Sequence, residues 1–140
     1  MTFFLHLHSF WRWVVLVVGL VAIVKAFIGW LGNRPFEHID DQLGMMFTIV
    51  LDVQVLLGLI NWIGRGWAAQ IPQAMSNPAL RFFAIEHPLT MLLALVVAHV
   101  GRVRSRRGET SLAQHRSAAI FYTLSLLLII SAIPWNRLSG

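Results

Sequence analysis

Four long apolar runs set the terms for any fold this chain can adopt. They extend approximately from Phe3 to Leu31, Leu43 to Ile63, Arg81 to Gly101 and Ala118 to Trp135, and they use up most of the 140 residues. A bilayer core about 30 Å thick is crossed by roughly 20 apolar residues rising about 1.5 Å each. Each run therefore has the length of a membrane-spanning helix. A hydrophobic content of 57% against 12% charged residues does not describe a soluble domain of this size. The expected fold is all-α: a single integral-membrane domain over residues 1–140, built as an up-down-up-down four-helix bundle. Its connections are too short to hold a soluble domain.

The first run has no basic residue ahead of it and no small-x-small cleavage pattern, so it reads as an uncleaved first helix rather than a signal peptide. Phe10, Trp11 and Trp13 near its start and Trp30 near its end have the character of interfacial aromatic belts. Asn33-Arg34-Pro35 is a turn signal that ends the helix. The second connection, with Pro72 and Pro78 and few charges, is expected to lie in the interface. Pro134 limits the fourth helix.

Basic residues are distributed unevenly between the two ends. Arg102, Arg104, Arg106, Arg107 and Arg116 crowd the third connection, and Lys25 and Arg34 share its side, whereas Arg12, Arg65, Arg81 and Arg137 mark the other. The positive-inside rule then puts connections one and three in the cytoplasm and both termini outside. A basic loop in that position meets anionic lipid headgroups; no groove-reading or base-stacking module accompanies it, which argues against nucleic acid. The chain has no cysteine, so disulfides, thiolate-bound clusters and haem attachment through Cys-x-x-Cys-His are excluded.

Ionisable groups inside such helices are costly in hydrocarbon and therefore informative. His8 lies about 8 Å inside the start of the first helix and His87 about 9 Å inside the start of the third, which runs parallel to it. At matching depth, two facing imidazoles can clamp one haem iron axially. Arg12 shares the His8 face four positions on, and Arg81 sits shallower on the third helix; either is placed to pair with propionates. The alternatives are an interfacial, solvated His8 and a His87 paired with Glu86 or a backbone carbonyl. Pro88 predicts a kink at His87, since it lacks an N–H and disfavours helical geometry at the residue before it. His99 is twelve residues beyond His87, about 120° around an ideal helix. A second haem would therefore need the kink to change the phase and His38 or His115 to supply a partner.

Asp52 is the deepest acid, and counting from the expected helix ends makes Lys25 its partner, with Gln54 adding an interhelical hydrogen bond. Gly19, Ala22, Ala26, Gly58, Ala94 and Ala98 are small enough to let helices approach closely. There is no Gly-rich phosphate loop, nucleophile elbow, His-Glu-x-x-His sequence or dense carboxylate cluster. Independent catalysis is not expected.

In "HLHSFWRWVVL", "KAFIGWLGNRPF", "LDVQVLLGLI", "RFFAIEHPLTMLLALVVAHVGR" and the terminal "AIPW", the chain resembles small bacterial four-helix membrane proteins labelled cytochrome b or cytochrome b-like. These are found beside respiratory or photosynthetic electron-transfer systems. The resemblance covers nearly the whole chain and implies the bacterial inner membrane, a haem b with quinone as a further possible ligand, and membrane redox proteins or further copies of the chain as partners. By position it implicates His8 and His87 first and His99 second. Two functions follow as expectations. One is a b-type cytochrome passing electrons between a quinol or membrane redox complex and a partner; the other is a cofactor-free accessory subunit of such a complex.

Overall fold

The computed structural model describes residues 2–135. Four helices dominate it: α1 (Thr2–Leu31), α2 (His38–Gly64), α3 (Pro78–Arg107) and α4 (Ser111–Ala132). All four are long and apolar enough to cross a membrane. The chain is an all-α, multi-pass membrane protein. Arg137 lies outside the described residues.

Helix ends are set by local chemistry that hydropathy does not register. Glu37 and Asp40 form a reciprocal capping box that starts α2 at His38, five residues before the apolar run begins. Asn77 accepts from the N–H groups of Ala79 and Leu80, and Pro78 takes the first helical position, so α3 begins before Arg81. Thr110 caps α4 through Ala113 N–H at 3.0 Å. The arginines expected in the third connection are consequently helical: α3 runs on to Arg107, and only Gly108–Thr110 link it to α4. Long basic side chains are good helix formers, and at a helix C-terminus they also oppose the macrodipole. Arg102 and Arg106, one turn apart, both approach Asp41 on α2, at 3.6 and 3.5 Å. Between α2 and α3, Gly66 turns the chain at φ +74° and two short helical turns, Trp67–Gln70 and Ile71–Ala74, follow.

Each helix packs on its sequence neighbour, and α1 packs on α4, closing the bundle. Gly19, Ala22, Ala26, Ala94 and Ala98 are buried, as expected for close-packing positions. Where two glycines sit, rings take the space: a Cβ at Gly29 would enter the His115 ring, and one at Gly44 would meet the Tyr122 hydroxyl. Phe47 and Tyr122 fill the centre edge-to-face at 5.5 Å.

The expected Lys25–Asp52 pair does not form. Lys25 Nζ lies 2.6 Å from Asp40 Oδ1, whose other oxygen accepts from Glu37 N–H at 2.8 Å. The early start of α2 explains the difference. Asp52 is fourteen residues beyond His38, about 21 Å along the helix, whereas Lys25 is only six residues, about 9 Å, from Leu31. Asp52 instead meets His99, with Oδ1 2.6 Å from Nε2.

Candidate functional site

The third helix is not regular where it enters the bundle. Residues Phe82–Glu86 form a π-type turn in which His87 N–H bonds back five residues to the Phe82 carbonyl. Such a turn widens the helix ahead of Pro88, whose ring would otherwise press on the carbonyl of Ala84. Pro88 has no N–H to offer that carbonyl, and the indole of Trp62 donates to it instead at 3.0 Å. The irregularity expected at His87 instead precedes it, as a π-turn over Phe82–Glu86 stabilised from α2, and His87 itself is helical at φ −63° and ψ −52°. Arg81 and Glu86 pair across it at 3.3 Å.

This geometry brings His87 across the bundle toward His8. Their ring centres are 6.3 Å apart and their planes nearly perpendicular, at 85°. His87 Nδ1 lies 2.7 Å from the carbonyl of Ala132, one of the last carbonyls of α4 and so free of a helical donor. That contact fixes the tautomer, with the proton on Nδ1 and a lone pair on Nε2. His8 rests against Gly58, where an added Cβ would come within 3.1 Å of the ring. The Gln54 carboxamide adjoins the same ring and donates through Nε2 to the His8 carbonyl at 2.9 Å. His8 Nδ1 and Gln54 Oε1 are both buried and neither is in a hydrogen bond. One is a potential donor and the other an acceptor on adjoining groups. Seven residues on, Asn61 donates to the carbonyl of Phe4 at 3.0 Å, so one face of α2 holds α1 in register.

The two imidazoles stand in the wall of a cavity of about 540 Å³, which all four helices and the second connection line. That volume falls within the usual range for small-molecule and cofactor sites, roughly 300–1,000 Å³. Its walls are largely apolar, with Met91, Leu92, Ile129 and Ile133 among them, and its polar groups include His8, Arg12, Gln54, Asn61, Arg65 and His87. The Arg12 guanidinium lies 5.1 Å from the Trp13 ring centre, and its buried Nε has no hydrogen-bond partner. Arg65 lies 6.0 Å from the ring centre of Trp67.

His8, His87 and Arg12 are therefore together, as the sequence predicts. Arg81 is not among the residues lining the cavity and is engaged with Glu86; His99 is likewise apart, bound to Asp52 on the outer surface of α2 and α3. His115 is fully buried, with Nε2 3.3 Å from the Pro35 carbonyl and its ring against Phe36, and is not poised to join His99. Sequence reasoning gave Gly58 only a packing role and overlooked Asn61 and Trp62. The spacing of Gln54, Gly58 and Asn61, four and then three residues, marks a polar and small face on α2 that carried the signal.

Among the described residues, no group of three or more His, Asp or Glu side chains is arranged to hold a metal ion. The arrangement thus offers two neighbouring imidazoles, edge to face, and among the described residues no all-protein coordination sphere. No known protein family, curated protein or solved structure matches the chain.

Proposed function

We propose that the chain is a b-type membrane cytochrome in which His8 and His87 would hold one haem. The close approach of their rings in the wall of one cavity is the observation that carries this reading. An imidazole nitrogen binds a metal ion such as zinc at about 2.0–2.1 Å, and two imidazoles whose centres lie 6.3 Å apart are close enough for both to reach one ion. The side chains around them suit the group. The Ala132 carbonyl leaves His87 Nε2 free, as the outer hydrogen bond of a ligating histidine does. Gln54 Oε1 is the natural acceptor for His8 Nδ1–H, which would free Nε2 of that ring in the same way. The unpaired Nε of Arg12 suits a propionate, and Arg65 lines the same cavity; Arg81, held by Glu86, is the poorer candidate.

A bis-imidazole haem supplies a one-electron carrier, with a potential set by ligation, burial and nearby charge. Within that role the chain's apolar walls exclude water, Gln54 and Ala132 hold the two imidazoles, and Arg12 offsets negative charge. The excess of basic residues at the other end of the bundle supports an orientation in the bacterial inner membrane with the termini and this cavity toward the outside. Electrons would enter from a quinol or membrane redox complex and leave to a partner on that side.

The test is a reduced-minus-oxidised spectrum of protein purified after expression with ample haem. Sharp bands of six-coordinate haem b at one haem per chain are expected. Absence of haem would overturn the proposal and leave the cofactor-free accessory subunit.

A further inference from the structure

Asp52 and His99 are joined at 2.6 Å, yet each side chain is 47% exposed on the outside of the bundle. Their position makes that exposure costly. Asp52 is fourteen residues from one end of α2 and twelve from the other, about 20 Å from either end of the helix and so near its middle. Ionisable groups at that depth face protein or a water-filled cavity rather than lipid. The flanking residues are apolar and exposed at a regular spacing. On α2, Ile49, Asp52, Leu56 and Leu59 follow one another at steps of three, four and three; on α3, Leu92, Val96, His99 and Val103 follow at four, three and four. This is the alternation of a helix-packing seam, with one polar residue in the middle of each row.

We infer that the α2–α3 face is the interface of a homodimer in which the Asp52–His99 pairs of two copies lie against each other. A twofold axis along the membrane normal keeps both copies in the same orientation and reverses the in-plane direction from Asp52 to His99. Each His99 then faces Asp52 of the other copy. An acid–imidazole pair is self-complementary under that operation, which is what an isologous interface requires. A different protein would need a matching acid–base pair of its own at the same depth. The dimer also places four polar groups in mutual contact away from lipid, with the apolar rows packing on both sides of them. Leu59 and Leu92, at one end of the two rows, also line the cavity near His8 and His87, whereas Asp52 and His99 do not.

Because the chain has no cysteine, single cysteines report this interface cleanly. Ile49→Cys, Leu56→Cys, Val96→Cys and Val103→Cys would be oxidised in the native host membrane, with Val17→Cys and Leu127→Cys on the outer faces of α1 and α4 as controls. The expected result is a disulfide-linked species of twice the chain's mass at two or more of the four positions and at neither control. No such species, equal linking at the controls, or an adduct with a protein of another mass would overturn the inference. In a second experiment, Asp52→Leu combined with His99→Leu removes both polar groups without leaving either alone. Energy transfer between labelled copies in lipid vesicles should show at least a tenfold weaker dimer, and unchanged dimerisation would contradict the role given to the pair.

Discussion

The indole N–H of Trp62 on α2 donates to the carbonyl of Ala84 on α3 at 3.0 Å, supplying the hydrogen bond that Pro88 cannot. One aromatic residue thus secures the irregular turn from which His87 reaches His8. Removing that donor in Trp62→Phe should cost about 1–3 kcal/mol, the desolvation penalty of an unpaired carbonyl. Pro88→Ala restores an N–H four residues after Ala84, so the double variant should lose less than Trp62→Phe alone. Unfolding midpoints in a mild detergent check this; equal losses would show that the indole packs without serving the carbonyl.

Lys25 and Asp40 form the second prediction. The Asp40 side chain is 4% exposed and that of Lys25 35%, so only the carboxylate is fully withdrawn from solvent. Lys25→Met should destabilise by on the order of 3 kcal/mol, because it strands a buried charge. Adding Asp40→Asn should recover much of the loss while keeping an acceptor for Glu37 N–H. Denaturation midpoints in detergent, compared across the cycle, give the coupling. Additive losses would mean that the two groups act independently.

Gly29 and His115 should be coupled in the same sense. A Cβ at Gly29 enters the fully buried His115 ring, so Gly29→Ala should cost about 1–3 kcal/mol by overpacking. In a His115→Ala background the same substitution should cost little, as read from unfolding midpoints.

What the sequence disclosed and what it withheld follow from the range of each interaction. The four helices were legible because a bilayer imposes length and hydropathy on a contiguous stretch, and the matched depths of His8 and His87 follow from counting along two such stretches. The partner of Lys25 was misread because His38–Gln42 looks like a polar loop. Its helical state depends on one capping pair, Glu37 and Asp40, and shifts the depth of Asp52. Arg102–Arg107 look like a basic loop for a similar reason: charge density suggests solvent, but does not stop a helix. The Asp52–His99 pair was illegible, since it depends on the rotation of α2 against α3, which single-chain periodicity does not fix.

Orientation can be checked with cysteines in the connections. Glu109→Cys, between α3 and α4, should be labelled by an impermeant thiol reagent only after the membrane is opened. Ala69→Cys, in the connection between α2 and α3, should be labelled in intact cells. The reverse pattern would invert the bundle and place the cavity on the cytoplasmic side.

The central claim, that His8 and His87 together hold one haem, is tested most directly by comparing reduced-minus-oxidised spectra of His8→Ala, His87→Ala and His99→Ala with the wild type, at measured haem content per folded chain. His8→Ala and His87→Ala should each lose the haem or its six-coordinate bands, since axial ligation needs both rings. His99→Ala, whose parent side chain is bound to Asp52 on the outer surface, should keep those bands at wild-type intensity. Unchanged bands at full occupancy in either His8→Ala or His87→Ala would contradict the assignment.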